Sequence, residues 1–230
     1  MTDHDRAVVQ NGFFLGPSRL AVLVGLGILP GLILADHGLM IAVQAWRWPA
    51  FVEAMQLLTW LGYGAVDLGV PLALGLVGWW RGNAELRVRG LWGTGTVAAA
   101  GVVDQILKNV SCRARPTAPG AGTFFASFPC FPAPYATASF PSGHATTAFA
   151  TAAMLALWYP RSTGVCVGLA ALVGLSRIVL GSHFPSDVLA GALLGSVVAL
   201  AVYAYVPAAR RNDAVGREAR MGERAGRAEV

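Results

Sequence analysis

Apolar residues gather in six runs, at 20–35, 64–80, 91–107, 145–158, 164–180 and 188–206, separated by shorter polar or Pro- and Gly-bearing breaks. A helix needs roughly 17–25 residues to cross a bilayer, so several runs must borrow flanking residues to span. The stretch from Asp36 to Tyr63 is too polar for a span and carries Trp46, Arg47, Trp48 and Pro49. It reads as an interfacial helix leading into the second span, because tryptophan favours the headgroup level. The pattern predicts an all-α fold: an integral-membrane bundle of six transmembrane helices.

Composition supports that reading. The 230 residues are 55% hydrophobic and only 13% charged, with a mean hydropathy of +0.56, whereas soluble domains carry about 25% charged residues. The net charge of +5 does not point to nucleic acid, because the cations form no stripe along a polar face. They sort instead by side. With six spans, Arg6, Arg19, Arg81, Arg87, Arg89, Arg161, Arg210, Arg211, Arg217, Arg220, Arg224 and Arg227 share the side of the termini, 12 of the 17 basic residues. The positive-inside rule then puts both termini in the cytoplasm and the remaining polar segments on the outer, periplasmic or extracellular face of the cell (inner) membrane. The first 19 residues contain acids and lack a small-residue cleavage site after the first apolar run, so that run is expected to be retained as a span. Residues 1–206 form one expected domain, and 207–230, rich in Arg, Ala, Gly and Glu, a solvated cytoplasmic tail, disordered or weakly helical.

Three polar stretches interrupt this scaffold, and all fall on the outer side. The first, Lys108 to Pro116, holds Lys108, the single lysine of the chain, with Arg113 and Arg115. Asp104 lies one helical turn before Lys108 on the same face, and an Asp–Lys pair at a span end explains that pair equally well. An arginine fork suits phosphate oxygens. The second stretch is Pro141, Ser142, Gly143, His144, just before the fourth run. Ser142 is a good N-cap, Gly143 allows close backbone approach, and the free amides of a helix N-terminus attract anions. His144 in the first turn can protonate a departing alkoxide. The third stretch carries Ser176, Arg177, His183 and Asp187. Pro185 suits a first helical turn. Asp187, four residues after His183, can accept a hydrogen bond from one imidazole nitrogen and leave the other free to attack. Charged groups beside apolar runs are costly in a membrane, which favours function over ornament.

Taken together, the three stretches resemble the type-2 phosphatidic acid phosphatase family, which shares its site with vanadium haloperoxidases and glucose-6-phosphatase. The family pattern is Lys, six residues, Arg-Pro; then Pro-Ser-Gly-His; then Ser-Arg, five residues, His, three residues, Asp. Lys108, Arg115, Pro116, Pro141, Ser142, Gly143, His144, Ser176, Arg177, His183 and Asp187 match it at every position. The resemblance implies that Lys108, Arg115, Arg177, Ser142 and the Gly143 amide grip the phosphoryl oxygens. His183 would attack phosphorus to form a phosphohistidine, Asp187 would orient it, and His144 would protonate the leaving oxygen. No metal and no cofactor is implied, because the three cations meet the charge of the transition state.

The function that follows is a membrane lipid phosphatase with its active site at the outer membrane–water interface and a lipid phosphate as its partner in the membrane. Polyprenyl diphosphate is the first expected substrate, with phosphatidylglycerol phosphate and lipid A phosphates as alternatives. A phosphotransferase using the same phosphohistidine, and a six-span transporter or structural protein with a spent site, are the readings of other classes. The residues leave the oligomeric state open, as well as whether Cys112 and Cys130 form a disulfide or stay free. The Pro- and Phe-rich loop at 117–140 reads either as a lipid-facing lining or as a packed outer loop. Asp67 and Pro71 read as a packed polar contact within the second span, without a catalytic role.

Overall fold

The computed structural model describes residues 3–206, with side chains from residue 20 onward. The tail at 207–230, and the side chains of the segment expected to precede the first span, lie outside the described residues. Those residues form seven α-helices with no strand among them: α1 Asp3–Ala45, α2 Pro49–Thr59, α3 Gly64–Trp80, α4 Ala84–Ser111, α5 Gly143–Trp158, α6 Thr163–Val179 and α7 Pro185–Tyr205. Each of the six apolar runs falls in one of the long helices, and α2 is the short helix expected after the first.

α1 does not stop at Ala35 as the hydropathy suggests but runs on to Ala45. The break comes at Trp48-Pro49, where Pro49, which has no N–H to donate, opens α2. Asp36 is therefore inside a helix, fully buried, and tolerated there because it is paired. Length and apolarity alone qualify three helical segments as spans, Leu20–Ala45, Pro160–Val179 and Pro185–Tyr205, and a fourth if the bent pair Pro49–Gly62 and Gly64–Trp80 is one. α4 is long enough at 28 residues but carries Arg87, Arg89, Asp104 and Lys108, and α5 has 16 residues. Where α4 and α5 fall short of the expected six, the polar residues of α4 and the shortness of α5 are the reason.

The bundle is turned inside out relative to a water-soluble protein. Leu34 (87%), Ile41 (74%), Leu72, Ile106, Val165 and Val197 face outward, while Asp36, Asp104, Lys108, Arg113 and Asp187 are buried. Such an exposed apolar belt around buried charge fits a bilayer and would be a liability in water. The chain is a multi-pass membrane protein. Aromatic residues collect at both ends: Trp46, Trp48, Trp60 and Tyr63 at one, Trp79, Trp80 and Tyr205 at the other, all exposed, as in the girdles that sit at headgroup level. Arg81, Arg87, Arg89 and Arg161 belong to the second end, where Arg89 stacks on Tyr159, 4.9 Å from its ring centroid.

α5 is the central strut, packed against α3, α4, α6 and α7. In a membrane, burying large apolar groups yields little, so close packing of small residues holds helices together. The α5–α7 seam illustrates this. A Cβ on Gly191 would lie 2.5 Å from the Ser142 carbonyl oxygen, and one on Gly195 would lie 2.2 Å from that of Thr146. Ala145, Ala150 and Ala199 are fully buried. Asp67 on α3 accepts a 2.6 Å hydrogen bond from the Thr147 hydroxyl, the packed polar contact expected of it.

Gly195→Ala should therefore force α7 off α5, with a loss of about 1–3 kcal/mol typical of overpacking. Gly168→Ala, whose Cβ would meet nothing within 4 Å, is the control. Thermal unfolding in detergent checks the contrast; equal melting temperatures for both variants would contradict the packing described.

Candidate active site

Lys108 closes the last turn of α4, and its ammonium is buried. It donates to Asp104 Oδ2 at 2.7 Å and to the carbonyl oxygen of Pro141. The second bond draws the start of α5 onto the end of α4. Gly143 makes this approach possible: a Cβ there would stand 3.1 Å from Asp104 Oδ2 and 3.6 Å from Lys108 Nζ.

Cys112 caps α4 in the left-handed conformation, with φ 43°, and is joined to Cys130 by a disulfide, which resolves the pairing left open by the sequence. The bond ties the aromatic loop to the end of α4, beside the arginines. Arg115 is gripped by carbonyls: its Nε donates to Tyr135 O at 2.7 Å, Nη1 to Ser182 O at 2.9 Å and Nη2 to Ala138 O at 3.2 Å. Its guanidinium stacks over the Tyr135 ring at 3.8 Å. The loop therefore fixes one cation of the centre, and Phe125, Phe128 and Phe131 project from it exposed.

Ser142 stands at the N-cap position of α5, but its hydroxyl makes no capping bond. The expected cap is not formed. Its backbone is fixed instead by donation from Ser142 N to the Asp187 carbonyl, 2.9 Å, which pins α5 to α7. Ser142 Oγ, His144 Nε2 and Arg177 Nε are buried without a hydrogen-bond partner among the described residues. Buried polar atoms without partners are rare and call for a ligand or water. Arg177 is oriented by its Nη1, which donates to Thr59 Oγ1 at 2.7 Å. The His144 ring meets the edge of Tyr63, centroid to centroid 5.4 Å. His144 is within electrostatic reach of Arg177, His183, Arg115 and Lys108, so the three sequence stretches do converge on one centre.

His183, in the turn before α7, is almost wholly buried. Its Nδ1 lies 2.8 Å from the carbonyl oxygen of Ser139, and its Nε2 lies 3.3 Å from Arg115 Nη1. A carbonyl only accepts and a guanidinium only donates. Nδ1 therefore carries the proton, and Nε2 presents a lone pair toward the cations. Asp187 Oδ2 is 3.7 Å from Nδ1. The direct Asp187–His183 bond expected from the four-residue spacing is not formed. The carboxylate instead accepts from the Ser139 hydroxyl at 2.6 Å and the Phe184 amide at 2.8 Å, and so acts on the imidazole through Ser139. Burial, above all, pushes the His183 pKa down to about 4 against the opposing pull of Asp187, which keeps the ring neutral near pH 7.

Ser139, Asp104, Thr59, Tyr135 and the pair Arg113–Asp36 belong to this centre although the motif pattern does not include them. Asp104 was legible from its spacing to Lys108. Arg113 already stood in the first polar stretch; the others are joined to the site by contacts between distant segments, which leave no local signal. Among the described residues, no group of three or more His, Cys, Asp and Glu side chains is placed to hold a metal ion.

These features define a multi-pass helical membrane protein with a buried, cation-lined centre at one end of its bundle. The PAP2 superfamily model matches residues 90–211, more than half of the chain, and the chain belongs to that family. It is 39% identical over 112 residues to the lipid A 1-phosphatase of Rhizobium etli, covering 47% of this chain and 48% of that protein. It is 47% identical over 62 residues to the decaprenylphosphoryl-5-phosphoribose phosphatase of Mycobacterium tuberculosis, covering 26% of this chain and 33% of that one. The chain spans about half the length, or less, of the curated relatives it matches. The solved PAP2-type phosphatidylglycerolphosphate phosphatase of Bacillus subtilis superposes with a TM-score of 0.60 at 25% identity, covering 81% of this chain and 94% of that one.

The depressed His183 pKa makes a pH prediction. An unfolded histidine takes up its proton near pH 6.5, while folded His183 holds off until about 4. Stability contributed by the neutral ring is present above pH 6.5 and is lost as pH falls toward 4. Between pH 7 and pH 5 the loss should reach about 2 kcal/mol. Melting curves of the wild type and His183→Gln at both pH values test this: the variant should lose less stability on acidification, and an equal loss would contradict the assignment.

Proposed function

We propose that this protein is a membrane lipid phosphatase that works through a phosphohistidine. The observation that carries the reading is the set of buried, unpartnered Ser142 Oγ, His144 Nε2 and Arg177 Nε beside the lone pair of His183 Nε2. Lys108, Arg115, Arg177, Ser142 and the Gly143 amide bind the phosphoryl oxygens. Their fixed positive charge meets the spread negative charge of phosphoryl transfer. His183 Nε2 attacks phosphorus, the N–P bond forms and the P–O bond to the lipid breaks. His144, protonated beside the bound anion, gives its proton to the departing oxygen. It then takes a proton from water as that water attacks the phosphohistidine. The N–P bond breaks, inorganic phosphate leaves and His183 is restored. Asp187 is a positioning residue in this scheme.

In this reading the chain crosses the inner membrane six times and the centre faces the outer membrane–water interface. The gathering of arginines at the opposite end supports this orientation, and so does the Cys112–Cys130 disulfide beside the centre, since disulfides persist on the oxidising side. A lipid substrate reaches such a site by lateral diffusion. The family resemblance puts polyprenyl diphosphate first. The longer match to a lipid A 1-phosphatase favours a lipid A-type phosphate, and the shorter match to a decaprenyl-linked phosphatase keeps a polyprenyl phosphate second. Phosphatidylglycerol phosphate is third.

Activity is expected to disappear in His183→Ala and to fall by about 10²–10⁴-fold in His144→Ala, the range for loss of a general acid. It should persist in EDTA and be blocked by vanadate. Phosphate release from purified protein measures all four, and a His183→Ala enzyme with near-wild-type turnover would refute the mechanism. A second panel compares lipid A, a long-chain prenyl diphosphate, phosphatidylglycerol phosphate and a soluble phosphomonoester. Efficiency should rise with buried chain length, by about 0.8 kcal/mol per CH₂. Equal efficiency on the soluble ester would remove the lipid assignment.

A further inference from the structure

Asp36 lies on α1, a helix that supplies none of the motif residues, yet its carboxylate is fully buried. Its Oδ2 accepts from Arg113 Nη2 at 2.7 Å and from the Ser186 hydroxyl, and its Oδ1 accepts from the Ser186 amide at 3.0 Å. Arg113 is equally enclosed, 1% exposed. Its Nη1 donates to Asp187 Oδ1 at 2.5 Å and to Ser186 Oγ at 2.7 Å, and its Nε donates to Gly122 O at 3.2 Å. The rings of Phe124 and Phe184 lie 4.7 and 4.5 Å from its guanidinium carbon. Asp187 in turn accepts from the Ser139 hydroxyl, and the Ser139 carbonyl accepts the Nδ1 proton of His183. One unbroken set of charged contacts and hydrogen bonds thus runs from the C-terminal part of α1 to the imidazole.

Two carboxylates and one guanidinium buried together are a poor way to gain stability. Each ion gives up its hydration on burial, and apolar groups of the same volume often do as well or better. What such an arrangement supplies is direction. Arg113 has a planar fork, so holding Asp36 with one nitrogen fixes the angle at which the other holds Asp187. Without Asp36, Arg113 can turn, and Asp187 loses the partner that sets which oxygen remains for Ser139.

We infer that Asp36 is a positioning residue for the His183 nucleophile: through Arg113 it fixes Asp187 and Ser139, and so the tautomer and aim of the imidazole. The inference rests on the phosphohistidine reading above. The cations that hold phosphate are anchored separately, Lys108 by Asp104, Arg115 by backbone carbonyls and Arg177 by Thr59. Disturbing Asp36 therefore affects attack more than binding.

The test uses the purified full-length protein in detergent with whichever lipid phosphate the wild type hydrolyses. Asp36→Asn keeps the shape and removes the charge; Ser186→Ala removes the hydroxyl shared by Asp36 and Arg113 and leaves every charge in place. Turnover is expected to fall by about 10–10²-fold in Asp36→Asn, the scale of a misaligned reactant, and by a smaller factor in Ser186→Ala. The KM and competitive inhibition by inorganic phosphate should stay near the wild-type values in both. If Asp36→Asn does not fold, Ser186→Ala decides alone. Wild-type turnover in the folded variants overturns the inference, and so does a parallel loss of turnover and phosphate inhibition, which would mean general collapse of the site. A wild type inactive on every lipid phosphate sinks the functional reading itself, whereas an active wild type with a dead His183→Ala and a fully active Asp36→Asn sinks only this inference.

Discussion

The buried Arg113 guanidinium, shared between Asp36 and Asp187, is the contact on which the rest of this molecule depends. It joins α1, the loop after α4 and the start of α7, across sequence separations of 77 and 74 residues. In a bundle whose outer surface faces lipid, apolar burial cannot select one arrangement of helices over another with much force. A buried charge can, because removing one partner leaves the other stranded, at a cost of about 3–5 kcal/mol. The two aromatic rings on Arg113 and the Gly122 carbonyl complete its enclosure. The register of α1 against α7 is therefore set by electrostatics at one end of the bundle, and small residues close the α5–α7 seam.

The same end of the bundle solves a second problem, which is to bury cations without neutralising all of them. Lys108 is paired with Asp104, but Arg115 is held by neutral carbonyls and a ring face, and Arg177 by a threonine hydroxyl. Carbonyl dipoles orient a guanidinium while leaving its charge uncancelled by a carboxylate. Asp187 is kept to the Nδ1 side of His183, reaching the ring only at 3.7 Å and through Ser139. The imidazole thus lies between a carbonyl on Nδ1 and a guanidinium on Nε2, and that pair of neighbours sets its tautomer. Ser142 shows the same economy: its amide is used to dock α5 on α7, and its hydroxyl is left unpaired at the centre.

Much of this was legible in the residues, and the part that was not has a common cause. Six apolar runs and the Trp-Pro break report local hydropathy and local backbone chemistry, so the long helices and the interfacial α2 could be read directly. Lys108, Arg115, Ser142, Gly143, His144, Arg177, His183 and Asp187 stand in three short stretches whose spacing is itself the signal, and the folded chain brings those stretches together. The end of α1 was misread because Asp36 looks like a boundary until its partner is seen. The Asp187–His183 bond was misread for the opposite reason. A four-residue spacing predicts contact within a regular helix, but His183 lies in the turn before α7, outside the helix that carries Asp187.

The sequence by itself determined a helical membrane protein, the place of each long helix and the identity of the groups that meet at its centre, because periodicity, hydropathy and side-chain chemistry are properties of neighbours along the chain. Only the tertiary structure decided that the Ser139 carbonyl rather than Asp187 accepts the hydrogen bond from His183 Nδ1, that Cys112 pairs with Cys130, and that Asp36 and Arg113 underlie the site. Each of these depends on a distance between segments separated by 18 to 150 residues, and burial makes those distances decisive: inside a low-dielectric core every donor and charge must find a partner, wherever along the chain that partner lies.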